Sequence, residues 1–421
     1  MKRRVIEWIK SLLIAALALN AVILIARLSF SENRAASLGD VIDALKQRVT
    51  VETVSENTSS TAAAALPISV ALTGENGRCG LVDRAAIRAC FDRITPLLAE
   101  SLGSAEAPVE VEQTQWQQLL TDNSIFLSYD CTVPLRVLAG WCGSEIRENC
   151  RVNMLVLHVQ GDDTVTVSYS DGVSCYSART AASPQTLREL IASARPNGAK
   201  FAFELEKNQK QWNNVAPCSL IAEGMHEALP VYIQTTVSNA DIATVVMEAL
   251  ELNPYMDKGY TDRDGWDTYL FSVGTLRLSG DGTATFRAAA DASASVLTLS
   301  AADGAQQAVE MTRHFVQRVL GPYCGQAEIG LSSLAAEGDS MAITYAYYLN
   351  GHKAADVPGA VFTIEGDRVT DMRLNWRGFE ASSATTSILV PRLECAVYPR
   401  SPRCTMKIGY SAGNPIWLME G

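Results

Sequence analysis

The sequence predicts an α+β fold with antiparallel sheets, carried outside a membrane on one amino-terminal helix. Three observations predict it. An uncharged run follows a basic start; between 66 and 237 the apolar spacing alternates between helical and strand periods; and from 238 one order of elements, a helix and then short strands, occurs twice.

The 421 residues suggest two or three domains. A hydrophobic content of 48% is enough for packed cores, which excludes wholesale disorder. The net charge of −11 argues against nucleic acid as a partner, because a phosphate backbone calls for a basic face.

Lys2, Arg3, Arg4 and Lys10 precede the run SLLIAALALNAVILIA, which ends at Arg27. With its flanks the run approaches the roughly 20 residues that span a bilayer. The basic side stays in the cytoplasm, so 1–10 is expected to be cytoplasmic, 11–28 a transmembrane signal anchor, and the rest extracytoplasmic. No small-x-small cleavage site follows, so the anchor is expected to be retained. Asn20 sits mid-run, where an amide poorly solvated by lipid seeks a helix partner, and it is the one candidate contact residue. Residues 29–65, with ENTSSTAAAA, read as a stalk.

A membrane-proximal α+β domain is expected over 66–237. ISVAL after Pro67 reads as its first strand. Asp83 caps a helix with Ile87, Cys90, Ile94, Leu97 and Leu98 on one face, ending at Gly103, with a kink or restart at Thr95 before Pro96. A short helix at 114–120, a strand at 125–129, the hairpin MLVLHV–VTVSYS, the strand VSCYSA and a helix opened by Ser183-Pro184 follow. A helix-plus-sheet unit is then expected at 238–300: Ile242, Val245, Val246, Ala249 and Leu250 form one face, Asn253-Pro254 stops the helix, and WDTYLFSV, TLRLSG and TATFRA form a meander. The second unit, 301–421, repeats the plan with Ala308, Val309, Thr312, Val316, Val319 and Leu320, a stop at Gly321-Pro322, and strands near 326–335, 340–349, 360–366 and 368–379.

Catalytic signatures are absent. The four histidines, His158, His226, His314 and His352, are far apart, and HExxH, GxSxG, SxxK, P-loop and GxGxxG patterns do not occur. The one carboxylate cluster, Asp257, Asp262, Asp264 and Asp267, has Arg263 inside it and no bidentate Glu after it. Asp264-Gly265 therefore favours a hairpin turn over a calcium loop. Tyr345 and Tyr347 share one strand face and Tyr348 the other; with Trp376 they suit sheet packing better than a recognition surface. The ten cysteines form no CxxC. They read either as a few bridges, with Cys142–Cys150 and Cys395–Cys404 the nearest local pairs, or as buried small hydrophobes. The expectation is a protein that is not an enzyme, with no catalytic, cofactor or metal residues.

The start MKRRVIEWIKSLLIAALALNAVIL, the segment ALELNPYMDKGYTDRDGWDTYLFSVGTLRLSGDGTATFRA and the ending DRVTDMRLNWRGFEAS…ILVPRLECAV…MKIGYSAGNPIWLME resemble the YycH/YycI-type regulators of the WalK–WalR (YycG–YycF) two-component system. The resemblance covers the anchor, about 240–290 and 360–421. It implies a single-pass, non-enzymatic accessory protein that contacts a WalK-like sensor histidine kinase, and a paralogous regulator, to adjust signalling in the cell envelope. The alternative is an exported module that binds a cell-wall-derived molecule in a cleft between units.

Overall fold

The computed structural model describes residues 63–148, 150–206, 210–221, 228–235, 239–253, 259–290, 304–388, 391, 394 and 404–420. The anchor, Asn20 with it, and residues 29–62 of the expected stalk lie outside these residues; its last residues are not stalk, since Ala65 is wholly buried in the core. Among the described residues no helix is long and apolar enough to cross a membrane. The architecture is mixed α+β, and nearly all strand pairing is antiparallel.

In the first region the chain forms β1 (Ser69–Gly74), β2 (Gly77–Leu81), α1 (Arg84–Gly103), β3 (Val109–Glu110), α2 (Gln113–Leu119), β4 (Ser124–Pro134), α3 (Leu135–Trp141), β5 (Arg151–Val159), β6 (Val165–Ser170), β7 (Cys175–Arg179) and α4 (Pro184–Ala192). The short elements β8 (Lys200–Phe201), α5 (Ala202–Glu206), β9 (Leu220–Ile221) and β10 (Leu229–Thr235) complete it. Seven strands make one sheet in the order β2-β1-β4-β5-β6-β7-β3. Asp83 caps α1 as expected, its Oδ1 accepting the Ala86 N–H at 2.9 Å. Of the kink or restart expected before Pro96, the restart does not occur: α1 runs on to Gly103. Proline removes only one donor, the Thr95 hydroxyl donates to the Phe91 carbonyl at 2.7 Å, and Leu97, Leu98 and Leu102 are buried beyond it. Packing wins over the local breaker.

The second region contributes α6 (Asn239–Ala249), β11 (Gly259–Thr261), β12 (Asp267–Phe271), β13 (Gly274–Ser279) and β14 (Thr283–Ala288). The third contributes α7 (Gly304–Val319), β15 (Glu328–Glu337), β16 (Ser340–Leu349), β17 (His352–Ala354), β18 (Ala360–Glu365), β19 (Arg368–Asn375), β20 (Gly378–Thr386), β21 (Thr405–Ser411) and β22 (Asn414–Glu420). Both regions follow the plan of a helix and then a meander. They share one 11-stranded sheet, because the last meander strand of one, β14, pairs antiparallel with β19 of the other, Phe286 opposite Met372. Alternation follows from that register. Leu276, Phe286, Met372 and Phe362 are buried on the helix side, while Arg277, Thr285 and Arg373 line the opposite face.

The strand expected over 368–379 is two strands. Trp376 is wholly buried, and after Arg377 the chain leaves the large sheet as β20 to pair with β10. Beside it, Tyr232 donates its N–H to the Gly413 carbonyl at 2.8 Å. Gly413 has φ +75°, and a Cβ there would lie 1.9 Å from the Tyr232 carbonyl oxygen, so only glycine fits. One hydrophobic cluster runs from Ala65 to Tyr410 and takes in residues of all three regions, so the described chain behaves as one compact unit.

Val246 and Val316 are wholly buried, whereas the His314 side chain is about half exposed. A carboxylate on either valine lacks a partner and costs on the order of several kcal/mol. Val246→Asp and Val316→Asp are expected to lower the Tm by more than ten degrees or abolish folding, and His314→Asp to shift it little; thermal denaturation followed by circular dichroism reads all three.

Candidate functional site

A cleft of about 490 Å³ opens between the seven-stranded sheet and the β17–β21 corner of the large sheet. At its wall stands a group of charges that no local sequence pattern announces. Asp130 comes from β4, inside the register shift between Ser128 and Val133 where β4 is released from β5. Such a bulge turns a side chain away from the regular ladder. The carboxylate is 95% buried; Lys407 of β21 pairs with its Oδ1, and the Lys353 ammonium stands 4.0 Å from its Oδ2. The Tyr348 hydroxyl donates to Oδ2 at 2.7 Å.

Tyr348 and Lys353 reach one carboxylate because a tight hairpin joins β16 to β17. Asn350 (φ +50°) and Gly351 (φ +80°) are the two residues between the strands, the pair a type I′ turn requires. That turn sets Tyr348 opposite Lys353. β17 then runs parallel to β21, with Lys353 beside Gly409, and Lys407 lies two residues earlier on the same face. Gly409 admits the crossing: a Cβ there would meet Leu418 Cδ1 at 2.2 Å and the Lys353 carbonyl oxygen at 2.9 Å.

Burial governs the titrating groups here. It pushes the Cys131 thiol up to about 12, with the Asp130 charge adding to the effect, and raises the Tyr348 hydroxyl well above its usual range, again with Asp130 contributing. His352, 8% exposed, is lowered to about 4 by burial. Cys218, also lining the cleft, is raised to about 12 by burial. Thiols of this kind are protonated at neutral pH and poor nucleophiles. Three polar atoms of residues lining the cleft have no hydrogen-bond partner: the Tyr129 hydroxyl, Asn153 Oδ1 and Ser219 Oγ.

The remaining sequence expectations fall elsewhere. Asp262 makes the expected hairpin turn: its Oδ1 accepts the N–H groups of Asp264 (2.9 Å) and Trp266 (3.0 Å), and its Oδ2 pairs with Arg277. No metal-binding group of His, Cys, Asp and Glu occurs among the described residues. Tyr345 and Tyr347 are core residues, donating to the Val309 carbonyl at 3.0 Å and the Asn375 carbonyl at 2.6 Å. The three described histidines do not converge: His158 lies in β5 with Nδ1 unpartnered, His314 beside Glu310 on α7, and His352 on β17. His226 and Asp257 are outside the described residues, as is Cys395. All nine described cysteines are free thiols, so Cys142–Cys150 is not a bridge.

Comparison with known proteins finds no matching family model, no matching curated protein and no matching solved structure.

Two outcomes test the chemistry of this corner. Lys407→Met takes the nearer ammonium from a buried carboxylate and is expected to cost about 3 kcal/mol in urea denaturation. Adding Asp130→Leu to it should recover most of that loss, and a double variant weaker than the single would refute the pairing.

His352 gives a pH signature. Its folded value of about 4 lies below its ordinary 6.5, so the unfolded chain binds the proton first. Its contribution is complete above pH 6.5 and is lost as pH falls from there to about 4, roughly 3 kcal/mol in all. His352→Gln should flatten that limb of the curve of Tm against pH.

Proposed function

We propose that this protein is a membrane-anchored, extracytoplasmic accessory protein that modulates a WalK-like sensor histidine kinase by protein–protein contact. The observation that carries the reading is the apolar run with its basic flank, SLLIAALALNAVILIA after Lys2, Arg3, Arg4 and Lys10, joined to the segments resembling YycH/YycI-type regulators. Those segments coincide with architecture. TYLF, TLRLS and TATFRA are neighbouring strands of the large sheet, RVTDMRLN is the strand that joins them to the second unit, and MKIGYS with NPIWLM is the closing hairpin. The likeness is therefore of a scaffold, which suits a protein that acts by contact.

The scaffold also has a face for contact. On the side of the sheet away from the helices, Tyr260 and Leu270 are 54% and 50% exposed, and Arg287 and Arg373 are exposed on the same face two or more strands away. Large apolar and arginine side chains are enriched where proteins meet.

A second reading, an exported module that binds a cell-wall-derived molecule, has the cleft at Asp130 in its favour.

The test of the first reading is co-purification from detergent-solubilised membranes of the source bacterium. The tagged full-length chain is expected to bring down a sensor histidine kinase. A form starting at residue 29, exported on a cleavable signal sequence, should recover several-fold less, and Asn20→Leu in the full chain should weaken recovery in the same direction. Recovery unaffected by both changes sinks the contact within the membrane; no kinase in any preparation sinks the reading itself.

A further inference from the structure

The cleft has the features of a small-molecule site rather than of an accidental gap between sheets. Its volume, about 490 Å³, lies well within the range of ligand pockets. Its walls come from both sheets and from two connecting segments, Asp171–Val173 and Ala216–Ser219. Ser69 and Ser128 face it from the seven-stranded sheet, Lys353 and Lys407 from the corner of the large one. Two observations at the cleft are unexplained by folding alone. Ser219 is 93% buried with its hydroxyl unpartnered, and Asn153 Oδ1 is likewise without a donor. Buried polar atoms are nearly always hydrogen-bonded, so three orphans among the residues of one cavity, the Tyr129 hydroxyl being the third, point to a missing partner. In addition Val173, on the turn that forms part of the rim, is 86% exposed, an apolar side chain left in water beside a polar recess.

From these features we infer that the cleft binds a small hydroxyl-bearing anion of the sugar-acid type, held by the ammonium groups of Lys353 and Lys407 and by Asn153 and Ser219. The inference rests on the reading of the cleft as a ligand site and is independent of the kinase contact.

Each part of such a ligand meets a group suited to it. An acceptor oxygen on Asn153 needs a donor, which a ligand hydroxyl supplies. The Ser219 hydroxyl either donates or accepts. An anionic head group accepts from an ammonium, and a charge-assisted hydrogen bond of that kind is roughly twice as strong as a neutral one. The Asp130 carboxylate fixes both lysines in place before a ligand arrives, so little side-chain ordering is left for binding. The C–H face of a sugar ring provides the apolar surface that Val173 lacks.

The experiment is isothermal titration calorimetry on the full chain in detergent micelles, with D-glucuronate, glucose 6-phosphate and D-glucose as probes. Saturable binding of glucuronate at least tenfold tighter than glucose is the expected result. Glucose 6-phosphate separates the sources of charge: binding tighter than glucuronate assigns the site to sugar phosphates, and weaker binding to sugar carboxylates, both within the inferred class. Lys353→Gln removes the farther and more exposed of the two ammonium groups on Asp130; it should weaken glucuronate by about tenfold and lower the Tm less than Lys407→Met does. Ser219→Val should weaken both anions and act as an independent check. Equal affinity for glucose and glucuronate overturns the assignment to an anion. The absence of saturable binding by all three probes overturns the cleft as a site for this class, and wild-type affinity in Lys353→Gln overturns the role of the lysine.

Discussion

The pairing of β14 with β19 is the constraint on which the rest of the molecule depends. Each of the two helix–meander regions is a one-sided sheet with a helix laid across it, and neither helix is long enough to be stable alone in water. Joined through their last meander strands, they cover each other's open edge and place α6 and α7 side by side. The Arg318 guanidinium donates to the Ala249 carbonyl at the end of α6, which satisfies one of the acceptors a helix terminus leaves over. The seven-stranded sheet then packs alongside: the Trp141 indole N–H donates to Glu310 of α7, and Arg84 of α1 pairs with Glu328 at the start of β15.

That join also explains where the charges lie. Sheet faces alternate strictly along a strand, so one register shift changes the side to which a residue points. The bulge in β4 brings Asp130 toward a corner formed by strands from the far end of the chain. A buried carboxylate is tolerated there because two ammonium groups and a phenol converge on it, and each of them is delivered by a separate feature: the Asn350-Gly351 turn, the parallel step from β17 to β21, and the absence of a side chain at Gly409.

Much of the fold was legible in the residues, and little of the site. Helices whose apolar residues recur at three and four positions, such as Val309, Thr312, Val316 and Val319, stand close to where periodicity puts them, and so do the strands on either side of Asp281-Gly282. The misses have physical causes. α3, LRVLAGW, is too short to show a helical period, and its apolar residues are nearly all buried. β20 looks continuous with β19, since nothing local distinguishes a strand that changes sheet from one that goes on. Asp130, Lys353 and Lys407 carry no common spacing, because the contact is made between elements far apart in the chain. One signal was available: Asn350-Gly351 between two alternating runs predicts a two-residue hairpin, and with it the register that faces Tyr348 with Lys353.

The placement of β10 sets an order in time. Leu229 finds its partner at Thr386, and Tyr232 its acceptor at Gly413, so this strand is synthesised long before either of its neighbours exists. Until then its backbone donors and acceptors are unpaired on both sides, the condition in which strands recruit each other between molecules. Closure of this seam is thus a late, long-range event with a large loop to close, the slowest kind of step available to a chain of this size. The carboxy-terminal hairpin acts as the latch of the fold: a chain cut short before it would keep both meanders and still leave an adhesive edge open.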